Sequence, residues 1–373
     1  MRIVMFYHSL VSDWNHGNAH FLRGIVGELE ARGHSVCVLE PCDGWSRTHL
    51  LAEQGVEALE RFRRAYPGLA SITYDPNDLD LDRLLDGADL VLVHEWNAPA
   101  LVRAIGEHRG ATNGYTLLFH DTHHRSVSAP DEMAEYDLRE YDGVLAYGAV
   151  IRDRYLAHGW AERVWTWHEA ADVRVFHPLP EVAREGDLVW IGNWGDEERT
   201  AELEEFVFRP VERLDLRARV HGVRYPPAAL ARLAAARIAY GGWLPNHAVP
   251  SVFARFALTV HVPRRPYAEA LPGIPTIRVF EALACGIPLI SAPWDDAEGL
   301  FRVGTDYLVA RDGAELEALA ARLIADDSER HAMAARGLET ILARHTCGHR
   351  VDELLGIVAS LRGSDVRTLT STA

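Results

Sequence analysis

The chain of 373 residues is long enough for two domains, and its 48% hydrophobic and 25% charged residues are typical of a globular protein. Its formal net charge of −16 argues against a nucleic-acid partner, because nucleic-acid backbones bind basic surfaces. No apolar run approaches the roughly 18 residues that span a bilayer, and the apolar run at 3–7 is too short for a signal-peptide core. We therefore expect a cytoplasmic protein without a transmembrane segment.

The chain contains no lysine, so all 38 of its basic residues are arginine. This excludes a Schiff-base lysine, an attachment point for pyridoxal phosphate and a P-loop lysine. Any bound phosphate must then contact arginine, histidine or backbone amides. The four cysteines contain no CxxC pair and are predicted to be reduced thiols.

The first half of the sequence alternates short apolar runs with amphipathic stretches, which predicts parallel βαβ units. The predicted strands are residues 3–7, 35–40, 71–74, 90–95, 115–120, 143–147 and 164–167. Helices are predicted between them, among others at 19–32, 99–108 and 150–158. Residues 1–175 are therefore expected to form one Rossmann-like, doubly wound domain.

A polar, proline-containing segment at 176–187 interrupts this alternation and is predicted to be a linker. The alternation resumes with predicted strands at 188–192, 219–222, 238–241, 258–262, 287–291 and 307–309. A second Rossmann-like domain is thus expected at 188–345, followed by a helix within 346–363 and a disordered tail at 364–373. The expected fold is α/β, with two doubly wound domains facing a cleft and ligands beyond the carboxyl ends of the strands.

The most informative stretch of the sequence lies at residues 275–291. Thr276 is predicted to cap a short helix, and Gly286 to end it in the left-handed conformation. Arg278 and Glu281 lie three residues apart, on one face of that helix. A helix N-terminus suits a diphosphate, and a carboxylate one turn further in can accept hydrogen bonds from sugar hydroxyls.

This pattern predicts a nucleotide-sugar site. Glu281 would accept hydrogen bonds from ribose or sugar hydroxyls, while Arg278 and the amides near Thr276 would face the diphosphate. The alternative is a surface ion pair with little energetic weight.

Other candidate donor ligands follow predicted strands of the second domain. They are Gly192, Asn193, Trp194, Arg199, Arg264 and Arg265. The loop at 192–194 contains small residues that let backbone approach a ligand, although a plain turn would have the same composition. Arg264 and Arg265 are alternatives to Arg278 for neutralising a diphosphate, or form a solvated loop, and Arg199 is a weaker phosphate candidate.

In the first domain, His120 is predicted at the end of a strand. There it could act as a general base for an acceptor hydroxyl, oriented by Asp121. The sequence around it, H-D-x-H-H, is weak evidence for a metal site, and a capped loop with solvent-facing imidazoles is a third interpretation.

A glycine turn before the first helix gives another candidate site. Gly17 and Asn18 could face the donor phosphate from the first domain, or Asn18 could simply cap the helix. The acidic residues at 78–82 are interpreted as a helix start rather than a metal site, so no metal is expected.

Together these motifs resemble the GT-B glycosyltransferases, most closely the CgeB-like (spore maturation) group with a glycosyltransferase family 1-like C-terminal domain. Residues 276–291 are similar to the family's R-x-F-E-A-x-A-C-G-x-P-L-I-S block. Residues 12–24, 167–178 and 189–199 resemble the loop after the first strand, the segment between the domains and the opening of the donor domain. The resemblance implies a donor site in the second domain, an acceptor site in the first, and a last helix that packs back across the linker.

One position departs from the family pattern. Many retaining GT-B enzymes carry a second glutamate eight positions before the residue that matches Glu281, and this chain has Gly273 there. Contacts to the distal hydroxyls of the sugar are therefore not implied.

The predicted function is metal-independent transfer of a sugar from a nucleotide-diphosphate sugar to an acceptor, without a cofactor. The acceptor could be a small molecule, glycan, protein or lipid. The alternatives are a nucleotide-sugar 2-epimerase of the same fold and a non-catalytic sugar-binding protein. A phosphorylase of this fold is excluded by the absence of lysine.

Overall fold

The computed structural model describes residues 1–179 and 182–371 and divides into two compact units. The first unit contains residues 1–169 together with the chain from Cys347 onward, and the second contains residues 170–346. The first domain was predicted to extend to residue 175, whereas the structure assigns residues 170–175 to the second unit. The described part of the predicted linker at 176–187 also belongs to the second unit.

The first unit is built on one sheet of seven parallel strands in the order β3-β2-β1-β4-β5-β6-β7. The strands are β1 (Arg2–Phe6), β2 (Ser35–Pro41), β3 (Ser71–Tyr74), β4 (Leu90–His94), β5 (Thr116–Asp121), β6 (Gly143–Ala146) and β7 (Val164–Thr166). In β1, Ile3 to Phe6 are all fully buried, as expected for a parallel strand covered on both faces. The strand order reverses between β1 and β4, which is the topological switch point of such sheets.

Helices connect these strands. They are α1 (Ala19–Ala31), α2 (Trp45–Gln54), α3 (Glu57–Ala65), α4 (Leu81–Leu85), α5 (Pro99–Thr112), α6 (Arg125–Ser128), α7 (Pro130–Ala134) and α8 (Ala149–His158). The sequence pattern did not predict α2. Only Ser46 and Leu50 of this helix are buried, so its apolar periodicity is weak.

The second unit contains six parallel strands in the order β10-β9-β8-β11-β12-β13. They are β8 (Gly186–Ile191), β9 (Ala218–His221), β10 (Ala239–Tyr240), β11 (Phe256–His261), β12 (Leu289–Ser291) and β13 (Leu308–Val309). This order also reverses once, between β8 and β11. All the strands predicted for the two units are present, with ends within two residues of those predicted.

The helices of the second unit are α9 (Thr200–Leu203), α10 (Arg209–Arg213), α11 (Pro227–Ala235), α12 (Val249–Phe253), α13 (Ile277–Ala284), α14 (Gly313–Ala325) and α15 (Asp327–Arg344). The amphipathic stretch at 197–214 predicts one continuous helix. The structure instead has a π-helical turn, Glu204–Phe208, between α9 and α10. Pro210 is the second residue of α10, and its missing N–H fits this irregular hydrogen bonding.

The last helix, α16 (Cys347–Ser371), packs against α1 in the first unit. Arg32 at the end of α1 donates a hydrogen bond to the carbonyl of Gly348 (3.0 Å). The helix is assigned as far as Ser371, and disorder of the tail at 364–373 stays a prediction. Residues 372–373 lie outside the described residues. Among the helices described, none combines the length and apolar character needed to cross a membrane.

Candidate functional site

Helix α13 begins and ends where the sequence predicted. Thr276 occupies the N-cap position, although its side chain makes no capping hydrogen bond. At the other end, Gly286 has a φ of +66°. The Gly286 N–H donates to the Leu283 carbonyl (3.1 Å), and the Ile287 N–H donates to the Ala282 carbonyl (3.1 Å). This pair of bonds is a Schellman motif, which requires the left-handed glycine.

Arg278 and Glu281 form the expected i,i+3 pair, in which Arg278 Nη1 donates to Glu281 Oε2. The side chain of Glu281 is 0% exposed, whereas that of Arg278 is 24% exposed. The alternative of a surface ion pair is therefore wrong for the carboxylate, which lies in the interior while the guanidinium reaches solvent. Burying a carboxylate is costly, so a position of this kind is usually kept for a specific partner.

Arg199 joins the loops that follow β8 and β11, the strands on either side of the switch point of the second sheet. Its guanidinium donates to the carbonyls of Asn193, Trp194 (3.4 Å) and Val262 (3.2 Å). It also lies over the ring of Trp190, 5.2 Å from the centroid. Arg199 therefore fixes the position of both loops.

Positive charge accumulates around Arg199, between the loops after β8 and β11. Burial, followed by the charges of Arg264 and Arg278, lowers the pKa of Arg199 to about 9. Arg264 has one acidic partner, because its Nη1 lies 2.7 Å from Glu198 Oε2. We call Arg199, Arg264 and Arg278 the arginine cluster. Arginines brought together at the carboxyl end of a parallel sheet suit an anion such as a diphosphate.

Two of the sequence-predicted candidates point away from this cluster. The ring of Trp194 packs against Tyr225 (5.4 Å between centroids) and belongs to the hydrophobic core. Arg265 is 44% exposed and pairs with Glu202 (3.1 Å). Sequence alone could not distinguish Arg264 from its neighbour, since adjacent residues of a loop point in different directions.

The loop after β8 is held in place by hydrogen bonds to its side chains and its backbone. Asn193 Oδ1 accepts a hydrogen bond from the Val223 N–H (3.0 Å), and the Gly192 carbonyl accepts one from the Tyr225 hydroxyl (3.0 Å). A Cβ at Gly192 would lie 2.5 Å from the ring of Trp190. Glycine is therefore required at this position by close packing.

His261 is a functional candidate that the sequence analysis missed. It is the last residue of β11, and its Nδ1 lies 2.9 Å from the hydroxyl of Ser291. That hydroxyl donates to the carbonyl of Ala292 (2.7 Å), so Nδ1 of His261 must carry the proton. Nε2 is then an acceptor, and it is buried without a hydrogen-bond partner in the structure. Burial, and secondarily the charge of Arg199, lowers the pKa of His261 to about 3 and keeps the ring neutral.

His120 lies inside β5 rather than after it, and its side chain is buried. Its Nδ1 is 2.6 Å from the Tyr7 hydroxyl, and burial lowers its pKa to about 3. The predicted orientation by Asp121 is wrong, because successive residues of a strand face opposite sides of the sheet. Asp121 instead accepts hydrogen bonds from the Tyr155 hydroxyl (2.9 Å) and the His123 N–H (3.0 Å).

A buried carboxyl pair lies beside the end of β5. Burial and the neighbouring Asp121 raise the pKa of Glu95 to about 8, and burial raises that of Asp121 to about 6. Arg125 donates to Glu95 Oε2 through Nε (3.1 Å) and Nη2 (2.9 Å). Glu95 follows β4 directly and is buried, and it was not among the predicted site residues.

The glycine turn before α1 has the predicted position. Asn18 is the N-cap residue of α1 but makes no capping hydrogen bond with its side chain. Its Nδ2 lies 3.5 Å from the carbonyl of Thr122, next to the end of β5. Gly17 and Asn18 are both partly exposed, which leaves their backbone accessible.

The acidic residues at 78–82 begin a helix, as predicted. Asp80 is the N-cap of α4, and its carboxylate accepts a hydrogen bond from the Arg83 N–H (3.0 Å). Among the side chains that the structure describes, no group of three or more from histidine, cysteine, aspartate or glutamate is arranged to hold a metal ion.

Comparisons with known proteins agree with this architecture. Residues 199–356 match a family described as glycosyl transferase-like. HepE from Anabaena, solved in complex with UDP, is 14% identical with a TM-score of 0.65, and the alignment covers 96% of this chain and 100% of that one. An alpha-glucosyltransferase in complex with UDP-glucose and DNA containing an abasic site is 11% identical with a TM-score of 0.71, covering 96% and 99%. Sucrose-phosphate synthase from Thermosynechococcus elongatus is 14% identical with a TM-score of 0.61, covering 100% of both chains. No curated protein matches the sequence.

These likenesses identify the fold as GT-B, with two Rossmann-like units of parallel sheet and helices. The prediction of the fold class is therefore confirmed. The family match adds a glycosyl transferase-like domain, and together the two findings support the prediction that the protein is a glycosyltransferase.

Proposed function

We propose that the protein transfers a sugar from a nucleotide-diphosphate sugar, held by the second unit, to an acceptor held by the first. The observation that carries this proposal is the arginine cluster beside the buried Glu281. The cluster offers positive charge for the diphosphate, which leaves with a developing negative charge during transfer. Glu281 offers a carboxylate for hydroxyls of the ribose or the sugar.

Uridine is the base we propose for the donor, since HepE and the alpha-glucosyltransferase were solved with UDP or UDP-glucose. Transfer without a metal ion is also a proposal. It is supported by the arginine cluster, which supplies the positive charge that a divalent cation provides in other phosphate sites. We further propose membership of the CgeB-like group, on the block at 276–291. We also propose a cytoplasmic location, since none of the four cysteines, all of which lie in the described part of the chain, forms a disulfide.

Binding of UDP-glucose to the full-length protein tests the proposed function. We expect calorimetry to show one site, a rise in the unfolding temperature with ligand, and glucose release or transfer that persists in excess EDTA. UMP serves as a matched control, because it lacks the second phosphate and should bind more weakly than UDP. Equal affinity for UMP and UDP would contradict a diphosphate site, and loss of turnover in EDTA would contradict metal independence.

His261 is proposed as a further donor contact, with Nε2 accepting a hydrogen bond from a donor hydroxyl. Comparison of His261→Asn with His261→Gln tests the roles of Nδ1 and Nε2 of the imidazole separately. Asparagine keeps a polar atom near the position of Nδ1, where it can bond Ser291, but loses Nε2. We expect the asparagine variant to fold normally and to bind UDP-glucose about tenfold more weakly, as for loss of one hydrogen bond. Wild-type affinity in this variant would exclude His261 from the site.

A further inference from the structure

An aromatic surface follows strands β2, β1 and β4 of the first unit, around the switch point of its sheet. It consists of Trp14, Trp45, His49, His8 and Trp96. Trp45 is 50% exposed and Trp96 is 44% exposed, which is unusual for tryptophan in a globular protein. The aromatic surface therefore presents apolar ring area where ligands of such sheets bind.

The part of this surface after β2 is rigid. Trp14 Nε1 donates to Glu53 Oε2 (2.7 Å), and the ring of His49 stacks on Trp14 at 4.5 Å with a 19° interplanar angle. Trp45 meets Trp14 edge-on, with centroids 4.9 Å apart. Trp45 begins α2 directly after Gly44, where an added Cβ would lie 3.4 Å from the carbonyl oxygen of His8. The exposed ring of Trp45 is thus held on a fixed support beside the end of β1.

The part after β4 is also held in place. The guanidinium of Arg125 lies 4.7 Å from the ring centroid of Trp96 and is itself paired with Glu95 (2.9 Å). The ring of His123 approaches Trp96 edge-on at 5.0 Å. The ring of His8 lies 6.0 Å from Trp96, and the carbonyl of His8 faces Gly44, the residue before Trp45.

The polar atoms of this surface are uncharged or already paired. Nδ1 of His8 is buried without a hydrogen-bond partner, and burial lowers the pKa of His8 to about 3. The ring of His16 lies 3.9 Å from His8, and its pKa is also lowered by burial. The two charged side chains that contact the tryptophan rings, Arg125 and Glu53, are paired with Glu95 and with Trp14 Nε1. A ligand here would meet flat aromatic faces and neutral hydrogen-bonding nitrogens.

We propose that the aromatic surface binds a neutral saccharide as the acceptor, with a pyranose ring stacked on Trp45 and a hydroxyl donating to His8. This inference rests on the proposed function and names the substrate class of its acceptor site. The apolar C–H face of a sugar complements an exposed indole, and its hydroxyls complement neutral imidazole. A nucleic acid would need unpaired cations, and the net charge of −16 opposes an anionic membrane as well.

The inference can be tested on the full-length chain with UDP present. A glycan array containing neutral and charged glycans identifies binding, and tryptophan fluorescence titration with the neutral oligosaccharides that bind gives affinities. We expect saturable binding of a neutral oligosaccharide, weakened at least tenfold in Trp45→Ala and Trp96→Ala. Trp45→Phe should retain most of the affinity, because phenylalanine keeps an aromatic face. Leu156→Ala, at a 47% exposed position on another helix of the same unit, is the matched control and should bind as wild type.

The outcomes separate the acceptor inference from the proposed function. Absence of binding to every neutral glycan, or wild-type affinity in Trp45→Ala, would overturn the saccharide surface. Binding of single-stranded DNA or of phosphatidylglycerol vesicles that depends on Trp45 would overturn it in favour of those partners. Calorimetry with UDP-glucose is run on the same samples. Retained donor binding alongside failed saccharide binding rejects only the acceptor inference, whereas failed donor binding in the wild type rejects the proposed function.

Discussion

Glu281→Ala is expected to abolish measurable binding of UDP-glucose while leaving the protein folded. The carboxylate is fully buried on α13, so an alanine there removes the hydrogen-bond acceptor proposed for donor hydroxyls. Hydrogen bonds to a charged group contribute about 1.5–3 kcal/mol each, so loss of two would weaken binding at least about a hundredfold. Calorimetry measures the affinity, and circular dichroism with thermal unfolding measures the fold.

Two further variants sharpen this test. Glu281→Gln keeps the shape and one acceptor oxygen but removes the charge, so it should bind donor with intermediate affinity. Glu353→Ala removes the carboxylate of another i,i+3 pair, formed with Arg350 on α16, and should leave the affinity unchanged. Unchanged affinity in a folded Glu281→Ala protein would show that the donor lies elsewhere.

The second large effect is the stability that buried histidines lose in mild acid. Burial lowers the pKa of His94 well below its usual value of 6.5 and that of His120 and His261 to about 3. The unfolded chain binds protons at these positions that the folded chain excludes, so the contribution of the histidines to stability falls as the pH drops below 6.5 towards 3. At pH 5, His120 and His261 should each withdraw about 2 kcal/mol. The raised pKa of Glu95 and of Asp121 acts in the opposite direction, so the histidine effect is measured as a difference between the wild type and a variant.

Urea unfolding at pH 7.5 and pH 5 measures this loss. His120→Asn keeps a polar partner for the Tyr7 hydroxyl but cannot titrate, so its stability should fall by about 2 kcal/mol less than that of the wild type between these pH values. His177→Asn, at an exposed position, should behave as the wild type. The same loss of stability in His120→Asn as in the wild type would show that the imidazole of His120 is not kept neutral.

Much of the fold was predictable because its signals are local. Parallel strands buried on both faces appear as continuous apolar runs, and such runs located every strand of both sheets to within two residues. Helix α13 was predicted equally well, since Gly286 and the apolar residues before it determine where the helix ends. By contrast, α2 was missed, because a helix with only two buried residues carries little periodicity.

The candidate site was less predictable, because side-chain direction depends on tertiary contacts. Arg264 and Arg265 are adjacent residues of the same type, so the sequence does not distinguish them. In the structure Arg264 belongs to the arginine cluster, whereas Arg265 pairs with Glu202. Trp194 follows a buried strand as a ligand loop would, but its ring fills the core. His261 was overlooked as part of an apolar strand, although the final residue of a parallel strand is where such sheets place functional groups.

Arg199 also links the charge of the second unit to the position of its loops. Its guanidinium connects the loops after β8 and β11, yet it does so beside two other arginines whose charges repel it. The side chain that holds the two loops together is therefore also one that an anion would stabilise. A diphosphate bound at the arginine cluster would reduce the repulsion around the guanidinium that makes these hydrogen bonds. Donor binding and the connection between the two loops are thus thermodynamically linked, and a substitution that relieves the repulsion should stabilise the empty protein at the expense of donor affinity.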